Sequence, residues 1–213
     1  MEISIIAISD THGYHDAVKV PEADILIHAG DITSHGEIVQ VEKFNQFLGN
    51  LPHPVKIIIA GNHDFCFERE PGRCRAILTN GIYLQDEAIE VRGIRFYGSP
   101  WQPWFHDWAF NLRRGSEIRK KWDLIPEDTD VLITHGPPYG HNDRVLMGER
   151  VGCQDLLEAV ERIKPKVHIF GHIHEGFGIT HNDHTTFINA SFCDAYYQPK
   201  NEPILYQYPI VER

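Results

Sequence analysis

Five short apolar runs, each broken by a polar cluster containing glycine, constrain this chain more than any other feature. Residues 3–8 lead into Asp10-Thr11-His12-Gly13, and residues 24–28 into Ala29-Gly30-Asp31. Residues 55–60 lead into Gly61-Asn62-His63-Asp64, residues 131–133 into Thr134-His135-Gly136-Pro137-Pro138, and residues 167–170 into Gly171-His172-Ile173-His174. Continuous runs this short and rich in β-branched residues suit strands covered on both faces. The polar clusters then fall at strand carboxyl ends, where α/β proteins place their sites.

Helices fit between these strands. Ser34-His35-Gly36-Glu37 has the form of a capping box, and Ile38, Val41, Phe44, Phe47, Leu48 and Leu51 follow at helical spacing. Pro52 and Pro54 end that run. Leu156, Leu157, Val160 and Ile163 mark a second amphipathic helix before Pro165, and residues 116–124 a shorter, charged one. Hairpin patterns join 88–91 to 94–97 across Arg92-Gly93, and 177–180 to 185–189, and residues 204–208 form a last strand. The expectation is an α/β fold with mixed sheets under helices, one domain over residues 1–213. The segment 99–111, with three tryptophans and two prolines, reads as a packed loop near the site mouth.

Thirty acidic against 20 basic residues give a net charge of −10, which disfavours nucleic acid and anionic membrane as partners. No signal segment or membrane span is expected, and Cys66, Cys74, Cys153 and Cys193 lack C-x-x-C spacing. Reduced thiols and a cytoplasmic location follow as expectations.

Carboxylates, imidazoles and one amide meet at the strand ends. Asp10 and His12 can project from one turn onto one ion, and Asp31 has two oxygens with which to bridge two ions. Asn62 offers a carbonyl oxygen, and His135, His172 and His174 offer nitrogen. This mixed set suits Mn, Fe, Zn, Ni or Co rather than calcium or a thiolate zinc site. A lone G-H-x-H or G-N-H-D carries little; five clusters in order carry much more.

The series D-x-H, G-D, G-N-H-D, T-H-G and G-H-x-H, over residues 10–174, resembles the calcineurin-like metallophosphoesterase superfamily. Tyr97-Gly98-Ser99-Pro100-Trp101-Gln102-Pro103 and Trp108-Ala109-Phe110-Asn111 narrow the resemblance to its metallophosphoesterase-domain-containing (MPPED, brain protein 239) branch. The fold so implied is an αββα sandwich of two mixed β-sheets flanked by helices. The resemblance gives one metal Asp10, His12, Asp31 and His174, and the other Asp31, Asn62, His135 and His172, with Mn favoured. It further implies in-line attack by a hydroxide held between ions ~3.5–4 Å apart. His63 matches the histidine that protonates the leaving alkoxide, a task suited to imidazole. Asp64 either orients His63 or is merely exposed.

The Ser/Thr protein phosphatases of the superfamily carry GDxxDRG, whereas this chain reads Gly30-Asp31-Ile32-Thr33-Ser34-His35-Gly36. The absent arginine steers the expectation from phosphoproteins to small phosphoesters, nucleotides and cyclic diesters foremost. A phosphomonoesterase or pyrophosphohydrolase on the same metals is the rival enzyme. A protein-binding scaffold, the role of the superfamily's retromer subunit, is the rival from another class. Trp101, Trp104 and Phe105 are candidates to stack a base, and Asn111, Arg113, Arg114 and His141 to contact substrate. His28 and His168 read as core histidines. Nothing in the sequence fixes the oligomeric state.

Overall fold

The computed structural model describes residues 2–210. In chain order its elements are β1 (Glu2–Ile8), β2 (Ile25–Ala29), α1 (Ile38–Asn50), β3 (Val55–Ile59), α2 (Phe65–Arg69) and α3 (Pro71–Ile77). There follow β4 (Ile82–Tyr83), β5 (Glu87–Val91), β6 (Ile94–Ser99), β7 (Gln102–Pro103), β8 (Asn111–Leu112), α4 (Ser116–Trp122) and β9 (Val131–Thr134). The chain closes with α5 (Gln154–Ile163), β10 (Val167–Phe170), β11 (Gly178–His181), β12 (Thr186–Asn189) and β13 (Ile204–Pro209).

Two mixed sheets result. One has the order β13-β1-β2-β3-β4, and the other β11-β12-β10-β9-β6-β5. Within each, the central strands run parallel; β13, β11 and β5 pair antiparallel at edges, while β4 closes the first sheet parallel to β3. Alternation along the strands explains the packing. Ile3, Ile5 and Ala7 of β1 point between the sheets, where they meet Ile27, Ile133 and Ile169. Ile6 and Ile8 point outward against Val41, Phe44 and Leu48 of α1. On the far side, Leu132 and Phe170 pack under Ile118 and Trp122 of α4 and Leu156 and Val160 of α5. Helices therefore cover both outer faces, as the αββα expectation requires.

The sheets are laced together at their carboxyl ends. Ser9 N–H donates to the Ala190 carbonyl at 2.9 Å, and Phe192 N–H to the Ser9 carbonyl at 2.8 Å, so the exit of β12 crosses onto the exit of β1. All five polar clusters lie on this edge.

Both sequence hairpins form. Arg92 and Gly93, at φ of 52° and 76°, make the two-residue turn with two positive φ angles that matches strand twist. Two local expectations fail. Ser34 does not cap α1: the N-cap position is Glu37, without a side-chain hydrogen bond, and Ser34 Oγ instead donates to the His12 carbonyl at 2.7 Å. The short helices α2 and α3 were not anticipated, because Glu70-Pro71-Gly72 interrupts the pattern between them.

Candidate metal centre

Four of the seven predicted ligands sit in left-handed backbone: Asp10 (φ 53°), His12 (43°), Asp31 (55°) and His172 (67°). Asp and His tolerate that region better than most residues, and its concentration here marks a strained, over-determined turn cluster. The neighbouring glycines are required by space: a Cβ on Gly171 would overlap the Asp10 carboxylate, and one on Gly61 the Asp31 carboxylate.

The structure brings all seven residues together. Asp10, His12 and His174 offer ligand atoms within 4.8 Å of one another, as do Asp31, His135 and His172. A third such group joins His12, Asp31 and His63. Asp31 Oδ2 lies 3.7 Å from His12 Nε2, 3.4 Å from His135 Nε2 and 3.9 Å from His63 Nε2. Asn62 Oδ1 lies 2.9 Å from His135 Nε2.

The imidazoles are aimed by the backbone. Nδ1–H of His135 donates to the Ala29 carbonyl at 3.0 Å, that of His174 to Asp194 at 2.8 Å, and that of His63 to Ser34 at 2.7 Å. Each bond fixes the ring and turns Nε2 inward, the way outer partners orient metal-binding histidines. Asp10 accepts from His172 N–H (2.9 Å) and Ser191 Oγ–H (2.9 Å).

Charge in this centre is balanced by imidazoles alone. Asp10 and Asp31 are almost fully buried, and no Lys or Arg pairs with either among the described residues. Burial alone would raise both carboxyls; the hydrogen bond and charge of His174 hold Asp10 well below the usual range, and His135 does the same for Asp31. Burial opposes charge on the His135 and His174 rings, yet Asp31 and Asp10 respectively raise both to about 9. Burial drives His12 down to about 4 and His172 to about 3. His12 Nδ1 is buried without a hydrogen-bond partner. Two buried carboxylates, convergent Nε2 atoms and no ammonium or guanidinium among them fit a divalent-ion pair.

Several predicted roles are revised by the geometry. Asp64 neither orients the His63 ring nor lies exposed: it is fully buried and accepts from Ile32 N, Thr33 N, Thr33 Oγ and Gly61 N, pinning the Asp31 loop to the Asn62 loop. Burial and the Asp31 charge raise its carboxyl to about 6. Asn111 turns into its own loop, donating to the Phe105 and His106 carbonyls. His141 stacks on Phe187 at 3.7 Å rather than lining the mouth. Arg113 is exposed outside the cavity walls, and its neighbour Arg114 lines them. Trp101 is engaged, its Nε1–H donating to Asp86 and Lys121 lying over its ring. His28 and His168 are core histidines as expected, each bonded to a threonine hydroxyl, Thr11 and Thr134.

Three residues escaped the sequence reading. Asn189 holds the Ile173 carbonyl at 2.8 Å and accepts from Ser191, which in turn holds Asp10. Tyr197 places its ring 4.9 Å from His12 and 5.0 Å from His174. The signal available was the sixth strand-end cluster, Asn189-Ala190-Ser191, which lacks His and Asp.

A cavity of about 640 Å³ opens from these ligands between aromatic walls. Trp104 and Phe105, 60% and 59% exposed, line it together with Trp108, Tyr139 and Tyr197. Trp108 also packs on His63 at 4.2 Å.

Paired acidic and imidazole ligands at the carboxyl edge of an αββα sandwich define a metallophosphoesterase. Residues 3–176 match the model of the calcineurin-like phosphoesterase family, and the chain belongs to that family. It is 47% identical over 229 residues to human metallophosphoesterase domain-containing protein 1, covering 96% of this chain and 70% of that one. The fold is shared with TT1561 of Thermus thermophilus (TM-score 0.61, 15% identity, 89% of each chain). A protein titled a novel archaeal phosphodiesterase also shares it (TM-score 0.52, 18% identity, 96% of this chain and 100% of that one). Family membership supports a metal-dependent phosphoester hydrolase. No described helix is long and apolar enough to cross a membrane.

Proposed function

We propose that this chain is a phosphodiesterase of small phosphoesters, nucleotides foremost, working with two divalent ions, manganese preferred. Asp10, His12 and His174 would hold one ion and Asn62, His135 and His172 the other, with Asp31 placed between the two groups. The observation that carries this reading is the position of Asp31 Oδ2, within 3.7 Å of both His12 Nε2 and His135 Nε2, one from each ligand group.

Bound ions supply Lewis acidity toward the phosphoryl oxygens and lower the pKa of water toward neutrality. The remaining steps fall to the protein. His63 keeps Nδ1–H on the Ser34 carbonyl and its ring against Trp108, leaving Nε2 to deliver a proton to the departing oxygen. Asp64 fixes the two loops that carry Asp31 and Asn62. The aromatic walls offer flat faces to a planar substituent. Asp31 and Asp10 raise the His135 and His174 rings to about 9, so a bound ion would compete with a proton at each. A raised imidazole pKa favours the protonated, metal-free form below that value, so ion affinity rises with pH toward it.

The cavity leaves room for a second ester substituent, which favours diesters over monoesters. With manganese bound, kcat/KM for bis(4-nitrophenyl) phosphate is expected to exceed that for 4-nitrophenyl phosphate by about tenfold or more, a difference of ~1.4 kcal/mol in transition-state binding. The reverse preference in the same steady-state assay would make the enzyme a monoesterase.

A further inference from the structure

The cavity holds two cations that the metal chemistry does not use. Arg114 lines it, with Nη1 donating to the Gly152 carbonyl at 2.7 Å and Nη2 to the Val151 carbonyl at 2.6 Å. Among the described residues no carboxylate lies within ion-pair distance of its guanidinium. Arg150 lines the same cavity and is fixed by Asp143 Oδ1 at 2.7 Å. Asp143 is itself fully buried and also accepts from Gly140 N and Gly152 N, so that guanidinium has a rigid base. Gly115 N–H on Asp155 ties the segment carrying Arg114 to the start of α5.

Neither arginine contacts the ligand cluster. Arg150 precedes, and Arg114 is bonded to, the 151–153 segment that bridges to Pro138, while Trp104, Phe105 and Tyr139 line the same space. Glu175, an acidic residue also on these walls, accepts the Leu146 N–H. In a chain of net charge −10, an unneutralised and immobilised guanidinium facing a cavity is a built anion receptor. A guanidinium retains most of its five donors after two carbonyl contacts, and its planar fork matches phosphate oxygens.

We propose that Arg114 and Arg150 form a second anion subsite, and that the preferred substrate carries a phosphate group in addition to the ester that is cut. The subsite rests on the phosphodiesterase reading and sharpens it: the substrate is a phosphodiester with a flat apolar body and a further, uncut phosphate. The alternative is that Arg114 only staples two loops together.

Two esters with the same base and leaving group separate these cases: thymidine 5′-(4-nitrophenyl phosphate) with either a 3′-hydroxyl or a 3′-phosphate. With the full chain and manganese, kcat/KM for the 3′-phosphorylated ester is expected to be about tenfold higher, through a lower KM. Arg114→Gln is expected to remove most of that advantage, and Arg114→Lys to retain part of it. Equal kcat/KM for the two esters in the wild type overturns the subsite with no variant needed. Equal losses on both esters in Arg114→Gln assign the arginine to the staple and overturn it as well. Hydrolysis of neither ester instead overturns the phosphodiesterase reading beneath it.

Discussion

Asp31→Asn is expected to strip the centre of both ions together and to lower kcat/KM by ~10³-fold or more, since the substitution touches every charge-stabilising element of the reaction at once. The reason is position. Asp31 Oδ2 faces His12 on one side and His135 on the other, while Oδ1 accepts the His63 N–H at 2.8 Å. An amide keeps the shape and one acceptor oxygen but removes the charge that two cations would share. Metal analysis and thermal melting give the readout. Manganese at a hundred times its dissociation constant should stabilise each wild-type site by ~2.7 kcal/mol, and the variant should lose that increment. A variant that keeps one ion at full occupancy would show that Asp31 serves a single site.

His63→Ala should leave the metal content intact and divide substrates by leaving group. General acid catalysis contributes ~10²–10⁴-fold, so a diester with an alkoxide leaving group should slow by that range, whereas a 4-nitrophenyl ester should change less than about tenfold. The Ser34 carbonyl on Nδ1 and Trp108 on the ring face hold Nε2 toward the centre, a geometry that serves a proton donor and a ligand alike. The residue also joins His12 and Asp31 in a ligand-capable group. Loss of an ion in His63→Ala, with equal slowing of both ester types, would make it a ligand instead.

The centre was legible because parallel strands buried on both faces leave continuous apolar runs, and the break in each run falls where the strand meets solvent. Asp10, Asp31, Asn62, His135 and His172 each stand within a few residues of such a break, so local pattern located them. What escaped depends on contacts between distant segments. Ser191 reaches Asp10 across 181 positions, and its strand-end cluster carries no His or Asp to mark it. Arg113 and Arg114 are indistinguishable by composition; the carbonyls of Val151 and Gly152 decide which one faces the cavity. Asp64 looked like a partner for its neighbour His63, yet its burial directs it to the Thr33 and Gly61 donors. Ser34 had the spacing of a helix cap, but the His12 carbonyl took its hydroxyl. The fold tolerated that loss because α1 buries Val41, Phe44 and Leu48, and packing outweighs a single cap.

Calorimetric titration of the chelator-treated chain with manganese tests the two-ion centre most directly. Two ions per chain are expected to bind. Their affinity should rise with pH between about 6 and about 8, by up to ~10-fold per unit for each proton displaced from His135 and His174. A stoichiometry of one, no binding at saturating manganese, or affinity that falls as pH rises would contradict the two-ion centre.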